Sequence, residues 1–141
     1  TFHARDTTEG IARLTHPPIN LSKILLSSLG LVVVQNRNRR TGERRTFQIA
    51  ELTENGEPNL LMQYNAKTKE MMNVNTPKRL FETLNIFTGL TEEDIYKDLD
   101  EKIMVLKWIV KNNIKDVNEI GMIMSDYYTD KKDLMLKITG N

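Results

Sequence analysis

Residues 31–74 read LVVVQNRNRRTGERRTFQIAELTENGEPNLLMQYNAKTKEMMNV, and the period of their apolar positions sets the fold class. Leu31-Val32-Val33-Val34 is an unbroken, mostly β-branched run, the pattern of a strand buried on both faces. A polar stretch from Asn36 to Arg45 turns the chain back into a second strand. There Phe47 and Ile49 alternate, then the phase slips to Ala50 and Leu52, which predicts a bulge or burial on both sides. Asn55-Gly56 marks the next turn. Leu60, Met62 and Tyr64 share one face of a third strand, and Asn65 to Lys69 leads into a short fourth at Met71 to Val74. The reading is an antiparallel meander.

Helical patterns flank it. Upstream, Thr7 or Thr8 can cap a short helix carrying Ile11 and Leu14, which His16-Pro17-Pro18 stops. Asn20 or Ser22 starts another through Ile24, Leu25 and Ser28, ending near Gly30. After Val74 the period changes from two to 3.6. Thr76-Pro77 reads as a cap followed by Pro at the first helical position, with Leu80, Phe81, Leu84 and Phe87 as the apolar face and Gly89 as the stop. Thr91, with Asp94 three residues on, opens a helix to about Asn113 whose face is Ile95, Leu99, Ile103, Leu106 and Val110. Asp116 and Glu119 open the next, with Val117, Ile120, Met124 and Tyr127 or Tyr128 inward; 130–141 is a short, frayed helix. The class is α+β: two helices and a meander over 1–75, then a helical subdomain over 76–141.

The chain's 141 residues suffice for one domain with a core. Its 20 basic and 19 acidic side chains balance, so net charge identifies no partner. The absence of cysteine excludes disulfide frameworks, thiolate metal sites and a Cys nucleophile. No apolar run approaches the roughly 20 residues that cross a bilayer. There is no G-x-x-x-x-G-K-[ST] phosphate loop, no acidic residue ending an apolar strand in Walker B style, no G-x-S-x-G elbow and no standard zinc set. Lacking an initiator Met and beginning in mid-motif, the sequence reads as a fragment, a trimmed piece or a processed product.

Four local features bear on chemistry. In Thr1-Phe2-His3-Ala4-Arg5-Asp6 an imidazole can meet an oxyanion or shuttle a proton, although a polar loop leading into a helix is the commoner meaning of such a stretch. Arg37, Arg39, Arg40, Arg44 and Arg45 surround Thr41-Gly42 as a positive knob. It is either a solvated hairpin tip or a contact for phosphate, nucleic acid or an acidic neighbour; with only Phe47 nearby, base stacking has little support. Glu92, Glu93, Asp94, Asp98, Asp100 and Glu101 read as a solvated helix face suited to the helix dipole. The seven methionines read as core filling.

In order and spacing, these pieces resemble the secretion ATPase superfamily, the motors of type II secretion, type IV pili and archaeal surface filaments. Thr1-Phe2-His3-Ala4 looks like that family's T-x-H-A histidine box, followed by Arg13-Leu14. Pro17-Pro18-Ile19-Asn20, then Val32-Val33-Val34-Gln35 with Arg37, looks like the segment leading to a strand ending in Q-x-R. Arg44-Arg45 with Ile49-Ala50-Glu51-Leu52, Tyr64-Asn65 with Thr68-Lys69, Lys107-Trp108 and Ser125-Asp126-Tyr127-Tyr128 are similar to the archaeal branch. Arg5 departs from the small residue usual after H-A, and Ala66 stands where that branch has Pro.

The resemblance implies the C-terminal portion of a RecA-like ATPase domain, following the Walker motifs. It implies a catalytic role for His3 beside a terminal phosphate, and cofactor-binding or subunit-border roles for Gln35 and Arg37, with no metal ligand. ATP and magnesium are implied for the full-length parent and none for the fragment alone, which is expected to be inactive. The implied partners are neighbouring subunits of a homo-oligomeric ring, the missing N-terminal half and a membrane platform protein, at the cytoplasmic face of the cell membrane. The runner-up is a small nucleic-acid-binding module acting through the arginine hairpin; a third reading is an oligomerisation piece.

Overall fold

Four strands, β1 (Leu31–Arg37), β2 (Arg44–Leu52), β3 (Pro58–Asn65) and β4 (Glu70–Asn73), form one antiparallel sheet in the order β1-β2-β3-β4 in the computed structural model of the chain. The structure describes residues 2–140; Thr1, the first position of the histidine-box resemblance, and Asn141, the last of the tail helix, lie outside the described residues. The meander read from the sequence is what forms. The phase slip also has its counterpart, a register shift between Ile49 and Ala50, with a second between Val34 and Gln35. The chain divides into two compact units, one ending at Thr88 and the other beginning at Gly89.

In the first unit, α1 (Thr7–Thr15) and α2 (Lys23–Leu26) cover the face carrying Val32, Val34, Ala50 and Leu52. Ile11, Leu26 and Leu52 form the core there, flanked by Leu14, Leu21 and Val32. Asp6, not Thr7 or Thr8, caps α1: its Oδ1 accepts from the Glu9 amide at 2.8 Å. Thr7 is occupied otherwise, because its amide and hydroxyl both donate to Gln48 Oε1 on β2, at 2.8 and 3.0 Å. Gln48 in turn donates to Gln63 on β3 at 2.8 Å, so one amide ties α1 to two strands.

The expectation that Leu31–Val34 is buried on both faces does not hold. β1 is an edge strand; Val34 is buried and Val32 half-buried, while Leu31 is 44% and Val33 50% exposed. A β-branched run satisfies strand propensity whichever faces are covered, so composition alone does not distinguish the two cases.

The third helix, α3 (Arg79–Thr88), is held by a strand residue. Glu51 on β2 is 2% exposed, and its carboxylate accepts from the amides of Lys78 at 2.9 Å and Leu80 at 3.0 Å and from Asn59 Nδ2 at 2.8 Å. Burial alone would push this carboxyl up; the amides of Lys78, Leu80 and Arg79 and the Asn59 side chain outweigh it and hold it below its ordinary value. Arg79 Nη1 also reaches the Leu52 carbonyl at 2.8 Å. The cap expected at Thr76 is therefore supplied by tertiary structure, two residues further along the chain. Leu80, Phe81 and Leu84 are half-buried, but Phe87 is 83% exposed. The 75/76 boundary marks the change of period; compactness changes at 88/89.

The second unit consists of α4 (Glu92–Lys111), α5 (Val117–Thr129) and α6 (Lys131–Thr139) around Val105, Ile109, Ile123, Tyr127 and Leu134. Thr91 and Asp94 form the expected reciprocal capping box, and Asp116 caps α5. The inward face of α4 differs from the expected one. Ile95, Val105 and Ile109 are buried, while Leu99, Ile103, Leu106 and Val110 are exposed. On α5, Val117 is exposed and Ile123 and Tyr127 point inward. The acidic stretch is also partly engaged. Asp98 accepts from the Tyr127 hydroxyl at 2.8 Å and pairs with Lys102, and Glu101 pairs with Lys131. Burial, then the bond to Asp98, pushes the Tyr127 phenol above its ordinary range.

Two substitutions probe the first unit. Gly56 has φ +72°, and a Cβ there would lie 2.3 Å from the Lys23 carbonyl oxygen. Gly56→Ala therefore strains the turn and pushes α2 away, with an expected loss of about 2–4 kcal/mol in urea denaturation. Glu51→Gln replaces a charged acceptor with an amide carrying unwanted donors, for an expected loss of about 1–3 kcal/mol at pH 7. Because the folded-state Glu51 pKa lies below its 4.5 reference, its contribution is fully present above that value and is lost as pH falls. The difference between wild type and Glu51→Gln should thus shrink below about pH 4.5; a gap unchanged at pH 3 would refute the charged cap.

Candidate functional site

The segment before α1 is folded back by one carboxylate. Glu9 Oε2 accepts from the Arg5 amide at 2.8 Å and Arg5 Nε at 2.9 Å, and Glu9 Oε1 accepts from Arg13 Nη2 at 2.7 Å. Arg13 Nη1 then donates to the His3 carbonyl at 3.2 Å. The Arg5 amide and guanidinium, with Arg13 beside them, hold the Glu9 carboxyl down at about 2. His3 is thereby positioned through its backbone, and its side chain is exposed. Ala4 sits against Gly10 of α1, where a Cβ added to the glycine would meet the alanine methyl at 3.6 Å.

The last residues of β1 come up beside this segment. Beyond the shift between Val34 and Gln35, strand alternation sets Gln35 and Arg37 two apart, and Gln35 Nε2 donates to Thr46 Oγ1 at 3.1 Å. Ala4, Arg5, Gln35, Asn36, Arg37 and Arg39 line one open groove. Of the three residues singled out from sequence, Gln35 and Arg37 are brought together, while His3 adjoins the groove through Ala4 without lining it. Arg5 and Arg39 line it as well, the Arg5 Nε being held by Glu9. Arg5 was assigned no site role from sequence, and Arg39, in the turn just beyond β1, only as a member of the arginine knob.

The five-arginine knob is divided by the fold. Asn38 Oδ1 accepts from the amides of Arg40 and Thr41 at 2.9 and 3.2 Å, and Gly42 takes φ +74° to complete the turn. Arg37 and Arg39 face the groove with Arg5, whereas Arg45 pairs with Glu43 and stands 5.4 Å over the Tyr64 ring. Three arginines and the carboxamide residues Gln35 and Asn36 along one open concavity make a donor-rich surface for phosphate or carboxylate oxygens. Among the described residues, no group of three or more His, Asp or Glu side chains is placed to hold a metal ion, and no helix is long and apolar enough to cross a membrane.

No protein-family model matches the chain. Over 146 aligned positions the chain is 30% identical to an uncharacterized protein of Methanocaldococcus jannaschii, a match covering 98% of this chain and 20% of that protein. The chain thus spans one-fifth of the length of the relative it matches.

The fold-back around Glu9 is testable by amide exchange. With the carboxyl at about 2, the charged form that holds Arg5 persists throughout the range above about pH 4 and is lost only as pH falls through that low value. The Arg5 amide is expected to stay protected between pH 4 and 7 in wild type and to exchange much faster in Glu9→Gln. Equal exchange in both proteins would show that the carboxylate does not hold the segment.

Proposed function

We propose that the chain is the C-terminal part of an ATP-hydrolysing motor for protein secretion or for pilus or archaeal filament assembly, of RecA-like descent, acting at the cytoplasmic face of the cell membrane. The single observation that supports this reading is the open groove lined by Arg5, Gln35, Arg37 and Arg39 beside the His3 segment. Two stretches about thirty residues apart, each resembling a different motif of the secretion ATPases, meet there in space. The groove's donors suit phosphate oxygens. Hydrolysis also needs a phosphate cradle, magnesium and a water-orienting carboxylate; these belong to the rest of the parent, and four-fifths of the Methanocaldococcus relative lies outside the matched stretch.

In this reading Arg5, Arg37 and Gln35 hold terminal-phosphate oxygens or a neighbouring subunit's carboxylates, and His3 senses the phosphate end through hydrogen bonding or proton transfer. The ring neighbours and the membrane platform protein are the partners that the family resemblance supplies.

The test uses the full-length parent and the 141-residue chain side by side. The parent is expected to hydrolyse ATP with magnesium, the short chain to show only background, and His3→Ala in the parent to lower kcat by about 10²-fold or more. Vigorous metal-dependent hydrolysis by the short chain, or a parent indifferent to ATP, would overturn the motor reading. Steeply salt-sensitive RNA or DNA binding by the short chain, abolished by changing Arg39, Arg40, Arg44 and Arg45 together, would favour the hairpin instead.

A further inference from the structure

α4 carries two apolar faces. Val105 and Ile109 lie in the core of the second unit with Ile123, Tyr127 and Leu134. A second stripe, Tyr96, Leu99, Ile103, Leu106 and Val110, is exposed along its whole length, from 45% at Ile103 to 78% at Val110. With 3.6 residues per turn, this stripe lies about 120° around the helix from the buried one. Its spacings of three, four, three and four are those of a coiled-coil seam, with Tyr96, Ile103 and Val110 at a positions and Leu99 and Leu106 at d. Five consecutive seam residues on one face form a contiguous patch, not the scattered apolar exposure of an ordinary surface.

The charges beside the seam select both the occupant and its direction. Asp100 and Lys107 are at e positions and Lys102 at g. Two copies of α4 laid parallel would set Lys102 of one against Lys107 of the other, a repulsive pair. Laid antiparallel, with Ile103 opposite Leu106 and Leu99 opposite Val110, they set Asp100 of each copy near Lys107 of the other, one ion pair on either side of the two-fold axis. Lys102 is meanwhile drawn toward its own Asp98, away from the seam.

We propose that the exposed α4 stripe is the docking surface for a second copy of this chain, the two α4 helices packing antiparallel across a two-fold axis. Such a contact is isologous, one patch pairing with itself, and so differs in kind from the head-to-tail contacts of a ring. It does not depend on the nucleotide reading.

Sedimentation equilibrium of the 141-residue chain over about 1–200 µM, at about 50 mM salt so that surface charges are not screened, tests this. The wild type is expected to dimerise with rising concentration. The double variant Leu99→Glu, Leu106→Glu is expected to stay monomeric while keeping its helix content and melting temperature, since both positions face solvent. Asp100→Lys alone is expected to weaken the dimer about tenfold, and Asp100→Lys combined with Lys107→Asp to restore it to within about threefold. A monomer at every concentration overturns the proposal, as does a dimer indifferent to the Leu99 and Leu106 changes. A dimer that the single charge reversal leaves unchanged overturns the antiparallel arrangement.

Discussion

Glu51 is almost wholly out of water at the end of β2 and yet keeps its charge, and the arrangement of the first unit follows from that constraint. An uncompensated buried carboxylate costs several kcal/mol, and the first amides of a helix have no partners within the helix. Each deficit answers the other: the amides at Lys78, Arg79 and Leu80 converge on the carboxylate, and α3 starts where those donors are satisfied. The chain between β4 and α3 is fixed in turn by Asn75 Nδ2 on the Leu60 carbonyl at 2.9 Å and by Asn59 Nδ2, which reaches the Thr76 carbonyl at 3.3 Å as well as Glu51. Sheet, crossover and helix thus close around one anion.

The meander was legible because its signals are local: the β-branched run at Leu31–Val34, the alternation of the following strands with its slip at Ile49/Ala50, and the turn residues between them. The caps at Thr91 and Asp116 were legible for the same reason, since donor and acceptor lie within one turn of each other. What local pattern could not supply was the partner of a polar group distant in sequence. Thr7 looks like a cap until Gln48, forty-one residues away, takes both its amide and its hydroxyl. Glu51 shows no structural role in its place between Ala50 and Leu52, because the amides it holds lie 27 and 29 residues further on. In both cases the polar side chain satisfies an orphan backbone group of another element, and nothing in the spacing records this.

The candidate site was legible in its parts but not in its assembly. Gln35 and Arg37 stood out at the end of a strand, and His3 stood out beside Ala4. The step from motif to groove needed the Glu9 fold-back, which brings Arg5 up beside β1, and the Asn38 turn, which separates Arg39 from Arg45. Summing charge along the hairpin treats five arginines as one patch. A Glu43–Tyr64 cradle removes Arg45 from that sum, and the Glu9 fold-back adds Arg5 from another segment. Electrostatic surfaces are properties of faces, and only the register assigns residues to faces.

The same argument applies to helices, with a different outcome. On α4, apolar residues recur at helical spacing along two directions, so the sequence contains two valid amphipathic solutions and periodicity favoured the one with more members. The fold takes the other, because the Val105–Ile109 face is bordered by Asp98, Glu101 and Lys102, which find partners in Tyr127 and Lys131. Aiming the Leu99–Val110 stripe inward would give up those polar contacts and leave the Asp98 and Glu101 carboxylates without them. The polar rim of a face therefore decides which apolar stripe becomes core. The stripe left outside keeps the unbroken three–four spacing of a helix–helix seam.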